Sequence, residues 1–348
     1  MNRRSKRTFA APSIGEEPAA SSIAQRLATS DEPLFIEELR VEENYNGWRI
    51  DLYLTEKIRR ASRSQVRGYL ANNVEMVPPR KVKAGTIVRT GDLIRIIRRE
   101  RVMPDTPSAD ALEVLLQLDD TAVVTKPPGV IVHRNSREVS STMDALLAQR
   151  FPDAAHVEAV HRLDRDTSGA MLCAFGKEAV IRWRSAFSGR GISKIYLAIV
   201  EDPHGFWHVG KLLDINIPLG LDADSDLSVR MGRGDLSART GAICVHREGE
   251  RALVELHPHE GRQHQLRAHL FMTGTPITGD KLYLAGNAYF RRWSDDPVGT
   301  QAREPLATPY HCLHAWKISF EYQGKRHTVE APLPPHFYAA MPDLRLPE

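Results

Sequence analysis

The sequence predicts an α+β protein in which a large domain with a mixed, mainly antiparallel sheet follows a small N-terminal α/β module. Helical patterns are few and interrupt many strand-like segments irregularly, unlike the alternation of repeated βαβ units. A length of 348 residues suits one large domain with a small appendage. Between Arg49 and Arg101, fourteen lysines and arginines stand against five acids, whereas the whole chain carries only +3. This predicts a polyanionic partner, with a solvated basic face as the alternative.

The order of the segments follows from composition and turn residues. The first segment is rich in Ser, Ala, Pro and Glu and predicts a flexible extension. In the basic module, Ser64 is expected to cap a helix through Leu70, and two short strands flank a turn at Thr90–Asp92. The extension, the basic module, a linker rich in Pro, Ser and Asp, and the large domain are expected at residues 1–38, 39–101, 102–113 and 114–340, respectively.

The large domain mixes strands with a few helices. A hairpin is expected around the turn at Asp119 and Asp120, and an Arg-, Asp- and Pro-rich stretch at 285–309 predicts a long surface loop. Helical patterns cover residues 142–150, 178–187 and 263–272. Strand patterns cover residues 114–118, 122–124, 170–174, 194–200, 241–245, 253–257 and 317–322.

Composition also limits the class of protein. Hydrophobic residues make up 42% and charged residues 26% of the chain, as in ordinary globular proteins. No apolar run approaches a membrane-spanning length, and the basic N-terminus lacks the apolar stretch of a signal peptide. Cys173, Cys244 and Cys312 are far apart and form no CxxC pair, which argues against a disulfide framework and a cysteine zinc site. We expect a cytoplasmic monomer without membrane contacts.

The segment His161–Gly169, HRLDRDTSG, carries the densest chemistry. It places Asp164 and Asp166 among two arginines and a histidine. An aspartate between arginines stays ionised at neutral pH and can serve as a nucleophile or base. From these residues alone, a loop of structural ion pairs in which an aspartate caps a turn is at least as good an explanation.

The same segment resembles the HRLDxxTSG catalytic motif of the large-subunit-type ribosomal and transfer RNA pseudouridine synthase family. Other segments resemble further family motifs in the family's order, over roughly residues 115–330. They are Lys126–His133 (KPPGVIVH), Lys194–Ala198 (KIYLA), Gly261–Leu270 (GRQHQLRAHL), Gly274–Asp280 (GTPITGD) with Tyr283, and Leu313–Ala315 (LHA). One such motif is weak evidence, whereas the ordered set is strong.

The basic module resembles the alpha-L RNA-binding module named for a small-subunit ribosomal protein. Arg49–Leu54, Ser62–Val66 and Thr90–Ile94 carry this likeness. In one departure, Val77-Pro78-Pro79 stands where the family has a hairpin turn, and proline cannot donate to a strand ladder. The resemblance implies that the module binds RNA, and we expect the contacts from Arg59, Arg60, Arg63 and Arg67.

The family resemblance implies an enzyme that isomerises specific uridines to pseudouridine in structured RNA, with ribosomal RNA preferred to transfer RNA. The target base is flipped out, and no cofactor is needed because the same atoms are rejoined. Asp164 is then the catalytic carboxylate and Arg267 its ion-pair partner. Tyr196 stacks on the base, and its hydroxyl helps in the late removal of a proton. Asp166 points to the opposite face of an extended segment.

Other residues are expected to bind the substrate. Arg162 fills the gap left by the extruded uridine or contacts a phosphate, and Arg262 contacts a phosphate. His264 and Lys126 complete this set, although the turn after Lys126 also suits a structural role, as does His133. Asp280 is expected to brace the turn at Gly279. No metal is expected, because the five-residue spacing of His264 and His269 does not stack them on one helix face.

Two other functions remain open at this point. The first is an RNA-binding or ribosome-assembly protein that keeps the fold without catalysis, which loss of Asp164, Tyr196 or Arg267 would have favoured. The second is a metal-dependent phosphate-ester hydrolase that uses Asp164 and Asp166. Such a hydrolase would lose its activity in the presence of a chelator.

Overall fold

The computed structural model divides the chain between residues 100 and 101 into two compact units. It describes residues 34–58, 63–99, 107–133, 142–189, 191–295, 300 and 302–346. No helix in these ranges is both long and apolar enough to span a bilayer.

The first unit is a three-stranded antiparallel sheet with two helices. The strand order is β1-β3-β2. Its core is a cluster of apolar side chains from both helices and all three strands, with Ile50, Tyr53 and Ile94 fully buried. The elements are β1 (Leu34–Arg40), α1 (Ile50–Lys57), α2 (Arg63–Asn72), β2 (Val74–Val77) and β3 (Leu93–Arg99).

Three sequence predictions for this unit are wrong in detail. β1 begins at Leu34 and pairs with β3 along its length, so residues 34–38 are not a flexible extension. Ser64 lies inside α2, which begins at Arg63, and therefore does not cap it. Only β3 adjoins the turn at residues 90–92, and no strand of the described part precedes that turn directly. A 15-residue connection joins β2 to β3; it begins with Pro78-Pro79 and ends with this turn.

The second unit is built on a ten-stranded sheet in the order β4-β5-β7-β14-β8-β13-β12-β9, to which β15 and β6 add short pairings. All of its pairings are antiparallel except that of β7 with β14. The strands are β4 (Val114–Leu118), β5 (Thr121–Lys126), β6 (Val157–Ala159), β7 (Ser168–Phe175), β8 (Ser193–Glu201), β9 (Leu212–Asn216), β12 (Arg239–Glu248), β13 (Arg251–Pro258), β14 (Leu313–Tyr322) and β15 (Lys325–Glu330). A separate pair comprises β10 (Leu219–Leu221) and β11 (Met231–Arg233).

Helices cover both faces of this sheet. Alternate residues of β7 enter two different apolar clusters, because successive side chains of a strand point to opposite faces. One cluster contains Met171 and Cys173, and the other contains Ala170 and Leu172. The helices are α3 (Met143–Arg150), α4 (Lys177–Ser188), α5 (Gln265–Met272), α6 (Gly286–Asp295) and α7 (Pro335–Ala340). The predicted fold class, α+β with a mainly antiparallel sheet, is confirmed.

Two expectations for the second unit differ from the structure. Helix α6 occupies much of the stretch predicted to be a surface loop, because it buries one apolar edge through Tyr289 and Trp293, each 5% exposed. Leu112, placed in the predicted linker, is 1% exposed and belongs to the core of this unit. The linker therefore ends earlier than its composition indicated.

The parallel contact between β7 and β14 fixes the segment that precedes β7. Gly169 pairs with Ala315, and Ser168 pairs with His314. Gly169 has φ of +111°, and a Cβ atom there would lie 2.2 Å from the Ala315 carbonyl oxygen. Only glycine allows this approach of the two backbones.

We expect Gly169→Ala to lower the free energy of unfolding of the second unit by about 3 kcal/mol or more, since a strained φ and a backbone clash add. Gly249→Ala is the matched control, because Gly249 also has positive φ (+57°) but open space around it, and we expect a loss of about 1 kcal/mol. Urea unfolding followed by tryptophan fluorescence measures both, because four of the five tryptophans lie in this unit. Equal losses would show that the close approach does not constrain the strands.

Candidate active site

The segment His161–Thr167 lines a cleft of about 750 Å³ in the second unit. It connects β6 to β7, so the strand pairings described above hold both of its ends. The opposite wall comes from the start of α5 and the segment before it, and β8 contributes the floor with Lys194 and Tyr196. The lining includes five lysine or arginine side chains against two acids, which favours an anionic ligand.

Asp164 and Arg267 form the predicted ion pair at the bottom of this cleft. The Arg267 Nη1 atom donates to the Asp164 carboxylate at 2.9 Å. The other edge of the same guanidinium donates two hydrogen bonds to Asp280, of 2.7 and 2.9 Å. Asp280 is fully buried and also accepts the backbone N–H groups of Leu282 and Tyr283. Arg267 is thereby fixed between two carboxylates.

The surroundings keep Asp164 ionised. Burial alone would raise the pKa of its carboxyl group, but the charges of His264, Arg267 and His311, together with the Arg267 hydrogen bond, lower it to about 2. His264 carries its charge only at similarly low pH, because burial and the charge of Arg267 lower its own pKa to about 4. At neutral pH, therefore, an ionised Asp164 faces a neutral histidine and a charged arginine.

His264 directly precedes helix α5, at its N-cap position, in a left-handed backbone conformation with φ of +53°. Its Nε2 atom lies 3.8 Å from the Asp164 carboxylate, and its Nδ1 atom lies 3.2 Å from the Tyr283 hydroxyl. A non-glycine residue in this conformation is uncommon, and such residues cluster at functional sites. The expected substrate-binding residue His264 thus lies directly beside the carboxylate.

Asp166 and Lys126 hold the segment rather than line the cleft. Asp166 forms a buried ion pair with Lys281 at 2.6 Å and, unlike Asp164, does not line the cleft. The expectation of an extended segment is wrong here, because Arg165 and Asp166 lie in a turn that is closed by the Thr167 N–H donating to the Asp164 carbonyl oxygen at 3.2 Å. Lys126 is fully buried, and its ammonium group donates to the carbonyl oxygens of Pro127, Arg165 and Thr167. The expectation that Lys126 binds substrate is wrong, because no part of it reaches the cleft.

Two buried histidines attach the end of the segment to the strand β14 region. Thr167 is hydrogen-bonded through its hydroxyl to His311 at 2.8 Å, and Ser168 to His314 at 2.8 Å. Burial lowers the pKa of His311 to about 3 and that of His314 to about 4, so both rings are neutral. The Thr-Ser-Gly part of the motif therefore fixes the backbone that carries Asp164.

The remaining predicted residues also border the cleft. Tyr196 is 8% exposed, and burial together with the charge of Asp164 raises the pKa of its hydroxyl, so the phenol stays protonated. Arg162 is exposed at the rim. Arg262 is also exposed and donates to the Ser237 carbonyl oxygen at 3.0 Å. The structure thus brings Asp164, Tyr196, Arg267, His264, Arg162 and Arg262 to one cleft.

The four arginines expected to bind RNA in the first unit are only partly described. Arg59 and Arg60 lie outside the described residues, and Arg63 is described as part of the α2 backbone only. Arg67 is exposed on α2.

The histidines that raised the question of a metal have other partners. His269 is bonded to Thr240 and to the Ile217 carbonyl oxygen, and His314 to Ser168 and the Ala331 carbonyl oxygen. In the part of the chain that the structure describes, no group of three or more His, Cys, Asp or Glu side chains is arranged to hold a metal ion.

Sequence reasoning missed several residues of the site. Asp280 braces its turn as expected, but its second role of fixing Arg267 was not foreseen, nor were the buried bonds of Lys281 and His311. Lys194 was quoted only as part of a motif, yet it lines the cleft, and burial lowers its pKa. The signal for Asp280 was its place in the matched motif GTPITGD, which follows the helix that carries Arg267, and Lys281 is the next residue after that motif.

Comparison with known proteins identifies the class of this site. The model of the family "RNA pseudouridylate synthase" matches residues 120–271, which include Asp164, Tyr196 and Arg267. Ribosomal large subunit pseudouridine synthase C of Pasteurella multocida is 30% identical over 323 residues, which cover 89% of this chain and 94% of that protein. The synthase of the same name from Salmonella typhi is 31% identical over 300 residues, covering 82% and 90%.

A solved structure shows a similar fold. Human RNA pseudouridylate synthase domain containing 4 superposes with a TM-score of 0.51 at 25% identity, covering 69% of this chain and 97% of that one. The identity and coverage of the bacterial relatives, together with the family match over the cleft, show the relationship. The chain therefore belongs to the RNA pseudouridylate synthase family and is an enzyme that isomerises uridine to pseudouridine in RNA.

Proposed function

We propose that this enzyme modifies uridines in ribosomal RNA and that Asp164 is its catalytic carboxylate. The observation that carries the role of Asp164 is its geometry: an ionised carboxylate in a cleft, held by Arg267, which is itself held by Asp280. Ribosomal RNA is proposed because the relatives from Pasteurella multocida and Salmonella typhi are named as synthases of the ribosomal large subunit.

Pseudouridine formation breaks the bond between uracil and ribose, turns the base and rejoins it through carbon. The reaction needs a carboxylate that stays charged in a site from which the bound base excludes water. Arg267 meets this need, because its charge offsets the cost of burying Asp164. The fixed guanidinium also reduces the reorganisation needed during the reaction.

Tyr196 is proposed to support the detached base. Its ring lies in the cleft near Asp164 on a central strand of the sheet, and a fixed aromatic ring suits stacking against uracil. Since its hydroxyl stays protonated, Tyr196 acts as a hydrogen-bond donor at neutral pH. It can take a proton from the base only if its own proton passes to another group. Arg162 and Arg262 at the rim are proposed to contact the phosphates of the extruded nucleotide.

The first unit is proposed to bind RNA and to raise the affinity of the whole chain. The basic residues from Arg49 to Arg99 give this unit its excess of positive charge, and this charge attracts phosphates irrespective of sequence. In this proposal Arg59, Arg60, Arg63 and Arg67 contribute contacts, while the carboxylate chemistry stays in the second unit.

The variant Asp164→Asn should form no pseudouridine while keeping its fold. The asparagine amide is nearly isosteric with the carboxyl group, and Arg267 keeps both hydrogen bonds to Asp280, but the negative charge at position 164 is lost. We expect the rate of pseudouridine formation to fall at least about 10³-fold, which corresponds to roughly 4 kcal/mol in activation free energy. Pseudouridine mapping of total RNA from a strain lacking the protein, complemented with each variant, measures this loss and locates the target. Asp153→Asn, an exposed aspartate, is the control. Wild-type modification by Asp164→Asn would exclude this carboxylate.

The rate should be insensitive to pH where an ordinary carboxyl group titrates. Asp164 has a lowered pKa of about 2, so its active ionised form persists as pH falls until the pH approaches that value. In Arg267→Met, burial raises the pKa of Asp164 and the charge of Arg267 no longer opposes this rise. The pH below which kcat falls (the acid limb) should therefore move above the ordinary carboxyl pKa of 3.8. In Arg267→Lys the charge remains, and the limb should stay low. Single-turnover rates with circular dichroism as a fold check measure this; identical limbs in both variants would contradict it.

Neutralising the arginines of α2 should reduce the salt dependence of RNA affinity. Each lost phosphate contact makes the negative slope of log K against log salt shallower by about one. Arg67→Gln should therefore make it shallower by about one, and a variant that also changes Arg59, Arg60 and Arg63 should make it shallower still. Binding to a structured ribosomal RNA fragment at several salt concentrations measures the slope. Arg326→Gln, an exposed arginine of the second unit, is the control and should leave it unchanged. Equal slopes throughout would remove α2 from the interface.

A further inference from the structure

Trp48 differs from the other tryptophans of the chain. It is 41% exposed, whereas the four in the second unit are at most 5% exposed. Trp48 lies in the first unit, just before α1, and none of the tryptophans lines the catalytic cleft. A tryptophan is the largest apolar side chain, and its exposure in a small basic unit therefore calls for a physical account.

Backbone hydrogen bonds and a contact with Tyr45 hold the exposed ring of Trp48 in place. Its backbone runs antiparallel to the segment around Val88: the Val88 N–H donates to the Trp48 carbonyl oxygen at 2.9 Å, and the Gly47 N–H donates to the Val88 carbonyl oxygen at 2.9 Å. The ring packs edge-on against Tyr45 at 5.1 Å, and Tyr45 packs against the fully buried Tyr53 at 5.3 Å. Trp48 thus rests on the core of the unit and presents its remaining surface to solvent.

The two backbone segments that hold this ring carry more basic than acidic side chains. The two antiparallel segments, residues 45–51 and 81–90, carry four basic side chains and one acid. The acid, Asp51, is buried and bonded to Arg49, whose side chain remains 51% exposed. The basic side chains are Arg49, Lys81, Lys83 and Arg89.

The apolar part of this surface is small. Ile87 pairs with Arg49 in an antiparallel β-bridge between the two segments, and its side chain is 48% exposed. Trp48 and Ile87 are the exposed large apolar residues of these two segments. Two apolar side chains are too few for a stable protein interface, which buries roughly 800 Å² on each partner. A second copy of the chain would also bring like charges together. A single exposed π-face on segments rich in lysine and arginine instead matches a nucleotide, which has a flat base and a charged phosphate.

We propose that Trp48 is a stacking platform for an unpaired nucleotide of the RNA, with the neighbouring cations holding the adjacent phosphates. This inference rests on the proposal that the first unit binds RNA. It adds a preference that the charge alone does not give, because a base inside a duplex has no free face to offer, whereas a base in a loop or bulge does.

The fluorescence of Trp48 itself can report binding of RNA at this platform. Titration of the full-length protein with single-stranded oligouridine of about ten nucleotides should quench tryptophan fluorescence saturably, since Trp48 is the exposed fluorophore. A duplex RNA of equal length should quench much less. Trp48→Phe should keep the affinity and lose the quenching, because phenylalanine still stacks. Trp48→Ala should lower oligouridine affinity by at least about fivefold with an unchanged salt slope, because stacking releases no counterions.

Tyr338→Ala is the matched control, since Tyr338 is an aromatic residue of similar exposure (46%) in the second unit, and it should bind like the wild type. Unchanged fluorescence during the oligouridine titration, or unchanged affinity of Trp48→Ala, would overturn the proposal. Both results would also follow if the surface served another protein or a second copy.

Activity on a short stem-loop substrate separates this inference from the proposed function. Trp48→Ala should keep the wild-type kcat and raise KM, because the chemistry lies in the second unit. If the wild type forms no pseudouridine in ribosomal RNA but oligouridine still quenches Trp48, the proposed function fails and the platform stands. If modification proceeds normally in Trp48→Ala with unchanged KM and affinity, the platform fails and the proposed function stands.

Discussion

The site depends on one buried guanidinium that two carboxylates share. Arg267 is 6% exposed and lies between Asp164 and Asp280, and a charge buried to this extent is tolerable only with well-aligned partners. The two carboxylates are not equivalent: the side chain of Asp280 is completely buried, whereas that of Asp164 is 22% exposed toward the cleft. Asp280 therefore fixes the arginine, and the arginine in turn fixes and charges the carboxylate that a substrate can reach.

The charged groups next to this site, Asp166 and Lys126, also have buried partners. Asp166 is neutralised by Lys281, and the buried ammonium group of Lys126 sits among three carbonyl oxygens at the turn after β5 and in the segment that carries Asp164. Burial lowers the pKa of Lys126 to about 7, opposed by the charges of the two aspartates. The HRLDRDTSG segment is thus held by charge pairs and donors on its inner side. Asp164 and Arg162 of this segment are among the residues that line the cleft.

The motif residues were readable from the sequence because their chemistry is local, whereas their partners were not, because those contacts are distant in the chain. Asp164 and Arg267 are 103 residues apart, and pattern alone could not join them; the family resemblance did. Lys126 was misassigned because a lysine beside a proline turn gives no sign that strand β5 buries it. Strand β1 was missed for a related reason: its pairing with β3 is non-local. Helix α6 was not foreseen because Arg291, Arg292 and Asp295 make its sequence resemble a polar loop, although Tyr289 and Trp293 are buried.

The two units use different physical forces, which explains why their sequences look so different. At the bottom of the cleft in the second unit, Arg267 and its two carboxylates are paired and largely buried, because catalysis needs a fixed field in a small volume. In the first unit, basic residues are numerous, and the proposed attraction of a phosphate backbone needs a high density of charge and not exact placement. Such attraction does not distinguish a loop from a duplex, so a chain that modifies particular uridines requires a further source of selection. In our proposal Trp48 supplies this selection, since its ring stacks only on bases that are already unpaired.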